Sequence, residues 1–209
     1  MKKYNMKALS LLSSGIDSPV SSYLMKKQNI EIIAIHFDNQ PLTSGVNVEK
    51  VKKLCNKLGI KKLYIITHGK NQIALMKSNV TRYRCILCRR LMFKIAEKIA
   101  KKEKCSFLVT GENLGQVASQ TLSNLTNCDR AIKTKIIRPL ISYDKEEIIK
   151  IAKKIGTYDI SIESELCCNA VPKYPKTRSN IKDIGREESK LDIKKIIDDS
   201  VKNCKIVAV

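Results

Sequence analysis

Three groups of residues in this chain have types and spacings that could do chemistry. The first is Ser13-Ser14-Gly15-Ile16-Asp17-Ser18, small residues and one carboxylate that follow the apolar run 6–12. A buried strand entering such a loop, with Ser18 as N-cap and Pro19 at the first helical position, leaves backbone N–H groups facing one spot, and such a spot holds phosphate. No Lys follows the loop as it would in a Walker A cradle, and the plain alternative is an ordinary strand-to-helix turn. The second group is Cys85-Ile86-Leu87-Cys88, flanked by Arg84, Arg89 and Arg90. A helix N-terminus and three cations lower a thiol pKa, which would make thiolates available for metal or sulfur chemistry. The spacing alone leaves open half a zinc site, a redox pair or two incidental cysteines. The third group is Glu165-Leu166-Cys167-Cys168, two adjacent thiols far downstream.

The elements that must position these groups alternate between strand and helix. Apolar runs at 6–12, 30–37, 63–67, 107–110 and 135–137 predict five parallel strands of a doubly wound α/β sheet, whose ligands lie beyond the carboxyl ends of the strands. His36-Phe37 close the second strand and would share a crevice with the Ser13 to Ser18 loop, although His36 taken singly reads as a structural residue. Gly111 ends the fourth strand, where it permits close backbone approach to a ligand, and Gln116 lies in the amide-rich turn that follows. Helices are predicted at 46–58, stopped by Gly59, and at 146–155, opened by the capping pair Asp144 and Glu147. A third carries the stripe Leu91, Met92, Ile95, Ala96, Ile99 and Ala100 just after the cysteine pair. Residues 174–190 read as a loop or surface arm leading to a last helix at 191–201.

With 209 residues, 43% of them hydrophobic, the chain fits one domain over 1–209, with the arm and last helix as its C-terminal part. The formal charge of +20 suits a polyanionic partner, with RNA the natural candidate; a lysine-rich compositional bias explains the same number equally well. The N-terminal apolar run is broken at Ser13, too short for a signal peptide or membrane span, so a cytoplasmic protein is expected. Eight cysteines there read as thiols, metal ligands or redox groups, with Cys55, Cys105, Cys128 and Cys204 serving as packing.

The first loop resembles the S-G-G-x-D-S pyrophosphate loop of the ATP pyrophosphatase superfamily. Longer segments are more specific. G-E-N-L-G-Q-V-A-S-Q-T-L at 111–122, I-R-P-L-I-S-Y-D-K-E-E-I at 137–148 and the string His36-Phe37…Pro41…Thr43-Ser44 resemble the tRNA 4-thiouridine synthetases, from about Lys7 to the C-terminus. The resemblance implies an ATP-dependent sulfurtransferase that adenylates a uridine oxygen in tRNA and replaces it with sulfur. It places ATP phosphates on Ser13, Ser14, Gly15, Ile16, Asp17 and Ser18, Asp17 close to Mg²⁺, and adenine near His36, Phe37 and Gly111. Lys145 matches a catalytic Lys and Cys167 the family's catalytic Cys. In archaeal members a C-x-x-C and that later Cys hold an iron–sulfur cluster, so Cys85, Cys88 and Cys167 are the expected ligands, with zinc the rival metal and Cys168 a spare. The sulfur donor would be sulfide or a persulfide carrier.

Two departures stand out. Ser14 replaces the family's first Gly, at a cost of about 1–2 kcal/mol if that position needs φ > 0. Full-length members also carry an N-terminal ferredoxin-like region and a THUMP domain, and bacterial ones a rhodanese domain. Without them, affinity for tRNA is expected from the basic surface, a homodimer or a separate tRNA-gripping protein. The competing readings are sulfur transfer to, or adenylation of, a small molecule such as a thiamine thiazole precursor, and a nucleotide- or RNA-binding module without chemistry.

Overall fold

The computed structural model describes residues 6–43, 46–77, 82–163 and 172–209. Strand β1 (Met6–Leu11) leads into α1 (Asp17–Lys27), β2 (Ile30–Asp38) into α2 (Val46–Leu58), and β3 (Lys62–Thr67) into α3 (Gly69–Lys77) and the long α4 (Arg84–Lys102). After β4 (Phe107–Val109) come α5 (Leu122–Asp129), β5 (Ile136–Ile137), α6 (Lys145–Lys154), α7 (Tyr158–Ile162), α8 (Ile181–Glu188), α9 (Ile193–Lys202) and β6 (Lys205–Ala208). The sheet order is β5-β4-β1-β2-β3-β6, with the first five strands parallel and β6 antiparallel to β3.

Strand alternation divides the core into two layers. Ala8, Ile32, Ala34, Leu63 and Val109 face one side, where α2 supplies Val51, Cys55 and Leu58. Leu9, Ile33, Ile35, Phe37 and Ile66 face the other, against Leu91, Ile95, Ala96 and Ile99 of α4 and the apolar side of α9. The stripe predicted for α4 is thus the one buried. Gly59 ends α2 at φ 61°, as its place after the helix requires. Cys55 and Cys128 are fully buried, Cys105 and Cys204 pack against the α4 layer, and burial pushes the thiols of Cys55 and Cys128 up to about 12 and that of Cys105 to about 11. These three are protonated packing groups.

Three local expectations change. The arm at 174–190 contains α8, whose Ile184 is buried against Leu75, Ile86 and Phe93. The strand β6 was not anticipated; its short run of apolar residues gains regular structure by pairing with the edge of β3. Helix α1 starts at Asp17, so Ser18 is inside it and Pro19 is its third residue, still within the first turn where a missing N–H costs nothing.

Candidate active site

The chain order places β4 beside β1 and on the opposite side from β2, so the strand order reverses between β1 and β4. A crevice opens at such a switch point, at the carboxyl ends of both strands. The loop 13–18 fills the β1 side. Ser18 closes it: its Oγ accepts from the Ser13 N–H at 2.8 Å and lies 3.0 Å from Ser13 Oγ. Helix α1 lies close on the sheet because its inner face is made of small residues. Ser21 Oγ donates to the Thr110 carbonyl at 2.8 Å, and Ser22 Oγ meets Ser10 Oγ at 2.7 Å.

Two glycines here have different reasons. A Cβ on Gly111 would fall 2.6 Å from Ser18 N and 2.8 Å from Asp17 C, so the close approach at the end of β4 is to the start of α1. At Gly15 a Cβ would meet only Ser13 Oγ, at 3.6 Å, and φ is not positive. Nothing within the protein demands a glycine at 15. Ser14 likewise avoids positive φ, so the expected backbone penalty does not arise; its side chain is buried and its Oγ donates to Asn47 Oδ1 at 3.4 Å.

Opposite this loop, α6 begins at Lys145. Its start is held by a complete capping box: Asp144 Oδ1 accepts from the Glu147 N–H at 2.7 Å, and Glu147 Oε2 from the Asp144 N–H at 2.9 Å. Asn113 donates to the Tyr143 carbonyl and the Leu114 N–H to Ile141 O, tying the segment after β4 to the start of α6. Lys145 Nζ lies 2.6 Å from Asp17 Oδ1. The first residues of α1 and α6 therefore meet, bringing two positive helix ends, one ammonium and one carboxylate to a single point. That set can hold a polyphosphate and a divalent cation.

His36 and Phe37 are adjacent in sequence and on opposite faces of β2. Phe37 belongs to the α4 layer, where its ring meets His68 edge-on at 5.2 Å between centroids. His36 faces the loop side and its Nδ1 lies 2.9 Å from the Leu12 carbonyl. Of the two, only the His36 ring lies on the side of the loop 13–18; the Phe37 ring packs in the α4 layer, with its backbone at the same carboxyl end of β2. Gln116 is exposed, beside Gly115 at φ 79°.

The cysteine pair sits within the first turns of α4, with Cys85 the second residue of the helix and Cys88 the fifth. Two of the flanking arginines are paired with carboxylates, and Arg89 lies close enough to Cys88 to interact with it electrostatically. Arg90 pairs with Glu188 at 2.8 Å and donates to the Asn127 carbonyl, while Arg89 pairs with the buried Glu112. Glu112 also accepts from Arg138 Nε at 2.8 Å and from Thr110 Oγ1 at 3.0 Å, and Arg138 reaches on to Asp129. Burial alone would raise the Glu112 carboxyl; Arg89 and Arg138 outweigh it and hold the group below its ordinary value. Cys88 Sγ also receives side chains of α3 and the residue before it: Gln72 Nε2 at 2.9 Å and His68 Nε2 at 3.2 Å. Burial lowers His68 to about 4, with a smaller push from His36, so the ring is neutral. His68, Gln72, Glu112 and Arg138 were not singled out from sequence. The signals were a histidine at a strand end with Gln one helical turn later, and acidic and basic residues inside G-E-N and I-R-P.

Cys167 and Cys168 lie outside the described residues, and among the described residues no group of three His, Cys, Asp or Glu side chains could hold a metal ion. The chain on either side of them is anchored at the crevice. Before them, Ser161 Oγ donates to Gly15 O at 3.4 Å, and the buried Lys50 ammonium donates to the carbonyls of Ser161 and Glu163 at 3.1 and 2.7 Å. After them, Lys176 N–H donates to Arg82 O at 3.0 Å, just ahead of α4. One anchor is at the phosphate loop and the other at the cysteine pair.

A parallel sheet with a lysine-free phosphate loop at its switch point, faced by a second helix start, defines the class of PP-loop ATP pyrophosphatases. Residues 4–193 match the model of the family described as "Thiamine biosynthesis protein (ThiI)", and the chain belongs to that family. It is 43% identical over 200 residues to a probable tRNA sulfurtransferase of Caldanaerobacter subterraneus subsp. tengcongensis, covering 93% of this chain and 53% of that protein. With a probable tRNA sulfurtransferase of Finegoldia magna it shares 40% identity over 209 residues, 97% of this chain and 54% of that one. A crystal structure of a 4-thiouridine synthetase in complex with RNA and bound ATP matches it with a TM-score of 0.93 at 38% identity, covering 98% of this chain and 55% of that chain. The chain spans about half the length of the relatives it matches. No helix among the described residues is long and apolar enough to cross a membrane.

Proposed function

We propose that the chain is the catalytic part of an ATP-dependent tRNA sulfurtransferase that converts uridine to 4-thiouridine. The observation that carries this reading is the meeting of Asp17 and Lys145 at two helix starts, in a fold that matches an ATP-bound 4-thiouridine synthetase over 98% of the chain. In the first half-reaction the uridine O4 attacks the α-phosphorus of ATP, the bond to the β-phosphate breaks, and pyrophosphate leaves. The loop 14–18 at the start of α1 would receive the departing pyrophosphate, Asp17 would hold Mg²⁺, which supplies charge neutralisation there, and Lys145 would neutralise charge gathering at the α-phosphate. His36 and Phe37 at the carboxyl end of β2, with Gly111 and Gln116, would line the nucleoside side. In the second half-reaction a hydrosulfide-level sulfur attacks C4, the C4–O bond breaks, AMP leaves with the former O4, and a proton is lost to solvent.

Cys85, Cys88 and Cys167 would hold an iron–sulfur cluster. The residues fit: two thiols on consecutive turns, N–H donors on one of them, and chain anchors that bracket Cys167 at the same crevice. Three thiolate ligands would leave one iron open to bind and deliver sulfide; zinc is the rival occupant, with Cys168 as fourth ligand. A cytoplasmic setting, sulfide as donor, and tRNA gripped through the basic surface, a homodimer or a separate protein complete the proposal. The family's own description favours one second reading, sulfur transfer into a thiamine precursor.

The test is incubation of the protein, purified without oxygen, with unmodified tRNA, ATP, Mg²⁺ and sulfide. 4-Thiouridine should form, and tRNA affinity should fall steeply with salt because several phosphates are neutralised. No thiouridine, with affinity that ignores salt, would exclude tRNA as substrate.

A further inference from the structure

Polar side chains gather around the sulfur of Cys88. Two side-chain nitrogens converge on it, from His68 at 3.2 Å and Gln72 at 2.9 Å, while Met92 Sδ stands 3.9 Å away. The hydrogen on the imidazole is assigned by the third member of the group. Asn71 Nδ2 lies 3.3 Å from His68 Nδ1 and 3.1 Å from Ser200 Oγ, so its two hydrogens serve those two acceptors. With Nδ1 accepting, the neutral ring carries its hydrogen on Nε2, which points at Cys88 Sγ. The frame is rigid. His68 is 1% exposed, its N–H donates to Asp38 O at 2.6 Å, and a Cβ on Gly69 would fall 2.1 Å from the Gln40 carbonyl, so α3 starts hard against the loop after β2.

We propose that His68 and Gln72 are positioning residues for the sulfur half-reaction, donating two N–H hydrogen bonds to Cys88 Sγ, with Asn71 setting the tautomer that lets His68 do so. The consequence for the cluster rests on the reading given under Proposed function. Hydrogen bonds to a ligand sulfur draw off its negative charge, stabilise the reduced cluster and orient the ligand, and outer partners of this kind are worth about ten- to a hundredfold in metal affinity.

The experiment has two arms. Histidine occurs twice in the chain, so the ring nitrogens of His68 can be read by ¹⁵N–¹H correlation on the metal-free protein. Nε2 should be protonated and Nδ1 bare, and Cys88→Ala should shift the Nε2–H signal. A ring protonated on Nδ1, or a signal unmoved by Cys88→Ala, overturns the proposal. The second arm uses protein loaded with iron and sulfide without oxygen. His68→Leu and Gln72→Leu should each move the reduction potential to more negative values and lose iron to a chelator about ten- to a hundredfold more readily; His68→Gln, which restores an N–H near Nε2, should recover most of both. Variants that keep the wild-type potential and iron overturn it. If His68→Leu fails to fold, Gln72→Leu carries this arm. A wild-type chain that takes up no iron removes the cluster from the proposed function, and the ring spectrum still decides the hydrogen bonds.

Discussion

At the loop end of the crevice the groups brought together are a turn of small residues, 13–18, and the first residues of two helices, where Asp17 meets Lys145. At the cysteine end they are side chains: Cys85 and Cys88 from α4, with His68 and Gln72 brought up from the segment after β3. The first kind of site follows from local sequence, because a loop of small residues and a capping box fix their own geometry. The second exists only once tertiary packing has seated α3 against α4. Glu112 joins the two, since it follows β4 directly and takes a guanidinium from Arg89, the neighbour of Cys88. The nucleotide end should therefore tolerate damage at the cysteine end, and damage to Glu112 should reach both.

The largest effect should separate the ends outright. Cys85→Ala and Cys88→Ala should each lower thiouridine formation by a factor on the order of 10³ or more while ATP binding by calorimetry stays within about twofold of wild type. Asp17→Ala should lose adenylation and thiolation together. Cysteine variants that also lose ATP binding would break the division into two ends.

Next comes the junction. Glu112 is 2% exposed and holds two guanidinium groups, so Glu112→Ala leaves two cations without their partner at a cost of about 3–5 kcal/mol. Urea unfolding should show that loss, with thiolation and ATP binding both reduced. A stability unchanged within error would mean that Asp129 alone suffices for Arg138 and that the two ends are independent.

This division also explains what could be read from sequence. The five parallel strands, the capping box at Asp144 and Glu147 and the strand-to-helix turn at 13–18 were legible because each is encoded within a few neighbouring residues. Lys145 came only from the resemblance; in the structure it is a cation at a helix start, and Asp17 is its partner. The helix start at Asp17 escaped because Ser18 is a good capping residue put to another use, closing the loop onto Ser13. The packing of the Phe37 ring against the α4 layer was not legible, because an end-of-strand position says nothing about which side the ring takes. His68 and Gln72 meet Cys88, and Glu112 meets Arg89 and Arg138, across gaps of 16 to 26 residues that local spacing does not announce, and β6 becomes a strand only by pairing with β3.

A smaller effect should appear on acidification. His68 is held near 4 in the fold and returns to about 6.5 on unfolding, so the unfolded chain binds the extra proton between those values. Its contribution to stability is complete above pH 6.5 and lost as pH falls toward 4, a change on the order of 3 kcal/mol. Glu112, held below its ordinary value, acts in the same direction in the window below about 4.5. Urea midpoints measured from pH 7 to 4.5 should fall for wild type and fall less for His68→Gln. Parallel profiles would show that His68 titrates normally and that its ring is not locked behind α3.

The smallest effect is expected at the one residue where the loop departs from its family pattern. Had position 14 needed φ > 0, Ser14→Gly would relieve strain of about 1–2 kcal/mol and tighten ATP binding about tenfold. The backbone there is not in that region, so no strain is stored. The substitution removes the long contact from Ser14 Oγ to Asn47 and adds chain entropy to a loop that must be ordered to bind, two losses of a few tenths of a kcal/mol each. ATP binding by calorimetry should therefore be unchanged or weaker by about twofold. Tightening by tenfold would show that bound phosphate flips this peptide into the left-handed region, and that the loop reshapes itself around its ligand instead of waiting for it preformed.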